Sequence, residues 1–197
     1  LMRDAEPATR SPRTLAEAYR QLATGDARLV AGGTDLLVAL TSGAAAPPAS
    51  VIDLWQLDAL RGIALDGADL VVGARSTWSE LRRSPLVRDR LPALAEVASL
   101  VGAAQIQNRG TIGGNIVTAS PAGDSLPVLL AADARMEVGS VRGERTIPAA
   151  AFWPAYRQTA LAPDELLLRV RIPGIVGREV RIHKVGTRRA QAIAKVS

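Results

Sequence analysis

The densest run of small and hydroxyl-bearing residues in this chain reads Asn108-Arg-Gly-Thr-Ile-Gly-Gly-Asn115 and continues as Ile116-Val-Thr-Ala-Ser-Pro-Ala-Gly-Asp124. It shows neither a helical nor a strand period, so we predict an ordered loop over residues 109–124. Such a loop offers backbone and hydroxyl donors to a phosphate, and the Asp124 carboxylate suits ribose-like hydroxyls. A surface loop made of turn residues is the alternative, although long ordered loops in compact domains are often functional.

A second glycine-containing stretch lies upstream and reads Leu29-Val-Ala-Gly-Gly-Thr-Asp-Leu-Leu37. An apolar strand leads into two glycines and a threonine, and a helix is predicted over residues 36–40. Glycines let a ligand approach the backbone, and N–H groups at a helix start favour anions. The arrangement suits a diphosphate, although it is neither the dinucleotide fingerprint nor a P-loop. A simple glycine turn between strand and helix is the alternative interpretation.

The composition limits the classes of protein open to this chain of 197 residues, which is long enough to bury a core. Apolar residues at 48% and charged residues at 22% exclude wholesale disorder. No apolar run approaches the roughly 20 residues of a membrane span. Because cysteine is absent, the chain itself holds no disulfide, iron–sulfur cluster or thiolate zinc site. The net charge of +5 is spread along the chain, so no nucleic-acid partner is expected.

Clusters of helix and strand patterns predict an α+β fold. Capping boxes over residues 14–17 and 77–80 mark two helix starts, and Asp66-Gly67 predicts a hairpin turn. A helical pattern over residues 86–100 is broken at Pro92. Strands are predicted over residues 29–31, 51–54, 136–138, 145–147, 166–172 and 179–185. A boundary is predicted between residues 54 and 63, giving an N-terminal domain of residues 1–57 and a second domain of residues 58–197.

Residues able to perform acid–base or nucleophilic catalysis are scarce. His183 is the only histidine and there is no cysteine, so neither a nucleophile–histidine–acid set nor a histidine metal cluster is available. Lys184 beside it could contact an anionic ligand or lie solvated at a strand end. The chain supplies glycines and donors, which is typical of a protein whose bound cofactor carries the reaction. No signal peptide is recognisable in residues 1–10, which predicts a cytoplasmic protein.

Together the two glycine-containing stretches resemble the FAD-binding subunit or domain of the molybdenum hydroxylases, the family of xanthine dehydrogenase and carbon monoxide dehydrogenase. Residues 29–36 resemble the first FAD motif of that family, and residues 108–115 with 119–124 resemble the second. Residues 152–173 and 183–189 are similar to further blocks of the xanthine dehydrogenase branch. The similarity runs in order from about Pro12 to Ser197.

This resemblance implies a two-subdomain α+β FAD-binding fold of the vanillyl alcohol oxidase and p-cresol methylhydroxylase type, with FAD between the subdomains. It places the diphosphate between residues 29–36 and 111–115, cofactor hydroxyls at Asp124, the adenine or flavin ring near Leu167, and the flavin near Lys184. Val101 stands where animal xanthine dehydrogenases place an aromatic residue near the flavin. The full set of implied cofactor-binding residues is Leu29, Val30, Ala31, Gly32, Gly33, Thr34, Asp35, Leu36, Val101, Thr111, Ile112, Gly113, Gly114, Asn115, Thr118, Asp124, Leu167 and Lys184.

The resemblance also implies a place in an electron-transfer chain. Electrons would come from 2Fe–2S clusters of a small partner subunit, after hydroxylation on a molybdopterin-binding large subunit, and would leave to NAD⁺ or another acceptor. A heterotrimer that dimerises is expected. The family continues into a further C-terminal domain that this chain is predicted to lack, which would leave apolar surface exposed. A stand-alone flavin-dependent oxidoreductase of the same fold is the alternative. A scaffold that has lost FAD is disfavoured because Gly32, Gly33, Gly113 and Gly114 are all present.

Overall fold

A computed structural model describes residues 7–174 and 179–187, together with the backbone of residues 194–196. Three sheets are present: a three-stranded parallel sheet, a five-stranded antiparallel sheet and a short two-stranded pair. The predictions made for residues 1–10 and 183–197 fall partly on residues that the structure does not describe. None of the helices in the described residues has the length and apolarity needed to cross a bilayer.

The N-terminal part of the chain is built on the parallel sheet, in which β3 (Ser50–Asp53) lies between β1 (Ala8–Arg10) and β2 (Arg28–Val30). Helix α1 (Leu15–Leu22) is capped by Thr14 as predicted, and its Ala18 and Leu22 are buried. Helix α2 (Thr34–Thr41) follows β2 but contains no buried residue. Its Leu37 and Val38 are about three-fifths exposed, at 60% and 61%.

The antiparallel sheet has the order β4 (Ile63–Asp66), β5 (Asp69–Gly73), β8 (Leu166–Ile172), β6 (Arg135–Ser140) and β7 (Gly143–Pro148). The predicted hairpin around Asp66-Gly67 is confirmed, because β4 and β5 pair in register across it. Two further short turns of 3-10 helix, Leu54–Gln56 and Asp58–Leu60, connect the parallel sheet to β4.

Helices cover one face of the antiparallel sheet. They are α3 (Trp78–Arg83), α4 (Pro85–Arg90), α5 (Pro92–Leu100), α6 (Ala104–Arg109), α7 (Ile112–Thr118), α8 (Ser125–Ala131) and α9 (Ala149–Phe152). The main core lies between this layer and the sheet, with Trp78 and Phe152 as its largest members. The second capping box and the break before Pro92 are both present as predicted.

The opposite face of β8 joins the two parts of the molecule. Its Leu166 and Leu168 pack with Ala18 and Leu22 of α1 in a second apolar cluster. Burying these aliphatic side chains removes apolar surface from water, which is the main force holding the N-terminal part against the antiparallel sheet.

Two predictions are wrong. Residues 109–124 are not a continuous loop, because Ile112–Thr118 form α7. Its two glycines have low helix propensity, but the amides of Ile112 and Gly113 donate to the carbonyls of Ser76 and Ala74, and these tertiary hydrogen bonds fix the first turn.

The second wrong prediction is the strand over residues 179–185. Strand β9 begins only at Val185 (Val185–Gly186) and pairs with β10 (Ala194–Val196). The alternation that suggested a strand is real, since Val180 and Ile182 pack on the core while Glu179 and Arg181 are exposed. The described backbone gives residues 179–184 no neighbouring strand to pair with, and alternation alone does not make a ladder.

Candidate functional site

The first glycine segment, residues 29–36, packs on the backbone that immediately precedes the second glycine segment, residues 111–115. A Cβ atom on Gly32 would overlap the carbonyl oxygen of Arg109 and would lie 2.7 Å from its carbonyl carbon. Neither contact is with a flexible side chain, so only glycine allows this approach. The sequence motif therefore has a packing role at Gly32 in addition to any role toward a ligand.

The first glycine segment ends at a helix start that no side chain among the described residues caps. β2 ends at Val30, Gly33 adopts φ +75°, and α2 begins at Thr34 with no side chain capping it. The first-turn N–H groups of a helix have no intrahelical acceptor, so those at this end of α2 are available to an anion. The position is also the carboxyl end of a parallel strand, where open parallel sheets commonly bind ligands.

The second glycine segment satisfies its own donors. The Thr111 side chain accepts a hydrogen bond from the amide of Gly114 at 3.0 Å, and the Asn115 amide donates to the Thr111 carbonyl. With the amides of Ile112 and Gly113 also bonded to neighbouring carbonyls, this segment offers a ligand surface rather than free amides. Gly114 provides that surface, because it is exposed and an added Cβ would contact only the Thr111 hydroxyl, at 3.1 Å.

A side-chain hydrogen bond joins the first glycine segment to α7, the helix that contains most of the second. The Thr118 hydroxyl donates to the Asp35 carboxylate at 2.8 Å, across 83 positions of sequence. Gly114 and Thr118 are four residues apart in α7 and so lie on one face of that helix. Since Asp35 is the second residue of α2, the exposed Gly114 surface faces the same side as the uncapped start of α2.

A buried ion pair lies on a neighbouring part of the site. Lys184 contacts Asp124 at 2.8 Å, and both side chains are 13% exposed. The other carboxylate oxygen of Asp124 is buried without a hydrogen-bond partner in the described part of the chain. The next residue, Ser125, donates to the Asn115 amide oxygen at 2.7 Å, which ties this pair to the second glycine segment. An orphaned acceptor of this kind suits a hydroxyl donor on a ligand.

Several of the predicted site residues lie in or against the apolar clusters, and Ile112 among them is fully buried. Leu167 is 3% exposed within the main core, and Leu29 packs against the second apolar cluster. Val101 caps the carboxyl end of α5 and is partly buried against the main core. Of the other predicted residues, Val30, Ala31 and Leu36 are partly exposed beside the glycines of the first segment.

Sequence reasoning missed an aromatic residue and its two cationic neighbours. The guanidinium carbon of Arg109 lies 3.8 Å from the ring centroid of Trp55, and that of Arg75 lies 5.3 Å from it. Burial lowers the pKa of Arg75, and the positive charge of Arg61 lowers it further. The available signal was a tryptophan two residues after the strand that pairs with β2, but its partners are distant in sequence.

The capping box at the start of α3 supports the second glycine segment through the bridge between Thr77 and Thr111. Thr77 forms an isolated bridge with Thr111, and its N–H donates to the Glu80 carboxylate at 2.8 Å. Burial by itself raises the pKa of Glu80, but the Thr77 N–H and the Arg61 guanidinium lower it more, so the pKa lies below its ordinary value. The carboxylate therefore stays charged at neutral pH.

The residues present fit a bound diphosphate. Free amides at the start of α2 provide donors, and the missing Cβ atoms of Gly33 and Gly114 leave the backbone approachable. No group of three or more metal-ligating side chains occurs among the residues that the structure describes.

The class that this fold and site define is an α+β domain whose two glycine segments suit a phosphate-containing ligand. A family model described as the FAD binding domain in molybdopterin dehydrogenase matches residues 6–175. The chain belongs to this family, and the prediction that FAD is the cofactor of the domain is confirmed at that level.

Individual relatives agree. The carbon monoxide dehydrogenase medium chain of Hydrogenophaga pseudoflava is 36% identical over 165 residues, which cover 83% of this chain and 57% of that protein. The nicotinate dehydrogenase FAD-subunit of Eubacterium barkeri is 36% identical over 168 residues, covering 82% and 56% respectively. This chain therefore spans little more than half the length of the relatives that it matches.

Solved structures extend the likeness to the fold. The carbon monoxide dehydrogenase from Hydrogenophaga pseudoflava matches with a TM-score of 0.84 at 34% identity, covering 87% of this chain and 60% of that one. Quinoline 2-oxidoreductase from Pseudomonas putida 86 matches with a TM-score of 0.90 at 30% identity, covering 95% and 65%. The predicted α+β FAD-binding fold is confirmed.

Proposed function

We propose that this chain is the FAD-binding part of a molybdenum-containing hydroxylase, which takes electrons from 2Fe–2S clusters of a partner subunit and passes them to NAD⁺ or another acceptor. The observation that carries the proposal is the uncapped start of α2 on the same side as the exposed glycine of α7. FAD, when bound, supplies the redox chemistry. The chain itself supplies donors, a backbone surface and a fixed geometry.

The residues have separate tasks in this proposal. The N–H groups of Gly33, Thr34 and Asp35 donate to the diphosphate, and Gly114 bounds it on the other side. Asp124 accepts a hydrogen bond from a cofactor hydroxyl through its unpartnered oxygen, while Lys184 holds the other oxygen in place.

The same proposal gives roles to the remaining predicted residues and divides the chain into two domains. Thr118 fixes the distance between α2 and α7 through Asp35, and Leu167 and Val101 shape the apolar support beneath the cofactor. Residues 1–57 and 58–197 form the two domains. The placement of the parallel sheet before residue 54 and of the antiparallel sheet after residue 62 supports this division.

The partners follow from the same proposal. A molybdopterin-binding large subunit and a small subunit with 2Fe–2S clusters complete a heterotrimer that dimerises in the cytoplasm. The name "medium chain" of the carbon monoxide dehydrogenase relative supports a complex of several subunits.

Flavin retention tests the proposal. The purified chain is mixed with FAD and desalted, and its absorbance is recorded from 300 to 550 nm. We expect flavin bands with wild-type protein and their loss in Gly114→Val, because the added side chain occupies the surface that the diphosphate needs. Ala131→Val, at an exposed alanine of α8, is the matched control and should keep the flavin. A colourless wild-type protein contradicts the proposal, and full occupancy in Gly114→Val contradicts the assigned position of the diphosphate.

A further inference from the structure

Arg109 contacts the first glycine segment and precedes the second by two residues, but it is not part of either. It is the last residue of α6, and Gly110 connects it to Thr111. Gly32 packs on the carbon and oxygen atoms of the Arg109 carbonyl group. The position of this one peptide therefore sets how closely the first glycine segment approaches the second.

The Gly110 peptide group, which follows Arg109, is held in place by Trp78 of the core. The Gly110 carbonyl accepts a hydrogen bond from the Trp78 amide at 3.1 Å, and a Cβ on Gly110 would lie 3.1 Å from the Trp78 indole. Trp78 is 2% exposed, so this support is part of the core and does not move independently.

The Arg109 side chain is fixed from the side by Trp55. Its guanidinium carbon lies 3.8 Å from the ring centroid, which is a close cation–π contact. In the part of the chain that the structure describes, this guanidinium has no carboxylate partner, so the ring is its principal contact. Arg75 lies near the same ring and is held by Asp58 at 2.9 Å.

Trp55 lies in the 3-10 turn that follows β3, and β3 pairs with β2, which leads into the first glycine segment. The ring thus belongs to the same sheet edge as Gly32, whereas Arg109 belongs to the helix that leads into Thr111. The contact between Arg109 and Trp55 therefore joins the two sides of the site through side chains, in addition to the backbone contact at Gly32.

We propose that Arg109 is a positioning residue, and that its stacking on Trp55 fixes the separation of the two glycine segments at the width that the cofactor diphosphate requires. This inference rests on the proposed FAD function, because it assigns the spacing of that same site. Arg109 need not touch the cofactor in this role.

The test measures the Kd for FAD by titration, and the melting temperature of each flavin-free variant. Arg109→Ala and Trp55→Ala should each raise Kd about tenfold, since cation–π contacts are worth an amount of that order. The double variant should be no weaker than Trp55→Ala alone, because loss of the ring already removes the Arg109 contact, together with that of Arg75. Trp55→Phe keeps an aromatic face and should restore most of the affinity. Arg82→Ala, which removes the same charge at an exposed site in α3, should leave Kd unchanged.

The outcomes separate the inference from the function on which it rests. Wild-type protein that binds no FAD overturns both. Wild-type binding with unchanged Kd in Arg109→Ala, or additive losses in the double variant, overturns the inference alone. The inference alone is also overturned if Kd rises only in proportion to a fall in melting temperature and Trp55→Phe gives no rescue. The stack would then act on folding and not on the separation of the two glycine segments.

Discussion

The two glycine segments pair a packing glycine with an open glycine, but they treat their backbone amides in opposite ways. In the first, Gly32 packs on the neighbouring backbone and Gly33 is left open at φ +75°. In the second, Gly113 packs on Ala74 and Gly114 is open. The first segment leaves its helix uncapped, whereas Thr111 caps the second. One segment therefore provides donors and the other provides a rigid wall.

This difference teaches that similar glycine pairs need not have the same role. The amides of α7 are already bonded inside the protein, so a bound anion adds little to its folding. The first-turn amides of α2 have no acceptor within the helix and are left to water until an anion binds. Binding an anion should thus order the first glycine segment more than the second.

The largest effect on the free energy of unfolding should come from alanine substitutions at the two glycines of α7. Gly113→Ala places a methyl group 2.6 Å from the Ala74 carbonyl oxygen, and overpacking of this kind should lower the free energy of unfolding by up to about 3 kcal/mol. Gly114→Ala meets only the Thr111 hydroxyl, at 3.1 Å, and the gain in helix propensity should keep its net effect within about 1 kcal/mol. Urea denaturation of the flavin-free variants measures both. Equal destabilisation by the two substitutions would show that the open and packing positions are not distinct.

A smaller effect should come from the helix caps. Thr111→Val removes the oxygen that accepts from the Gly114 amide and should cost about 1 kcal/mol of unfolding free energy. Thr34→Val is the matched change at the start of α2, where the hydroxyl caps nothing, and should have little effect without flavin. Thr111→Ser should recover most of the loss. If Thr34→Val proves as costly as Thr111→Val in urea denaturation, α2 is capped in solution and the contrast between the segments is lost.

The smallest effect should appear in acid. The pKa of Glu80 is lowered in the folded protein relative to the unfolded value of about 4.3. The unfolded state then binds more protons, so this stabilisation is complete above that pH and is lost as the pH falls through the folded pKa. Its size should be no more than about 1 kcal/mol, and Glu80→Gln should remove it.

Unfolding free energies from pH 3 to 7 measure this contribution. Glu96→Gln, at an exposed glutamate of α5, serves as the control and should keep the wild-type profile. A Glu80→Gln profile that parallels the wild type would show that the capping box behind the second glycine segment does not depend on the charge.

Much of the local structure could be predicted because its causes are local. The caps at Thr14 and Thr77, the hairpin at Asp66-Gly67 and the break before Pro92 depend on residues within a few positions of each other. The two glycine segments could also be found in the sequence, the second from its density of glycine and hydroxyl residues and the first from two glycines between a strand and a helix. The helical form of residues 112–118 was not visible, because its first hydrogen bonds come from residues 74 and 76.

By itself the sequence determined which segments are chemically special and that catalysis by the chain's own side chains is limited, because composition and spacing decide which donors and nucleophiles exist. Only the tertiary structure decided which glycine packs and which stays open, which amides remain free, and that Trp55 and Arg109 meet. Those properties depend on atoms brought together from distant positions, such as Thr118 with Asp35, and no local pattern encodes them.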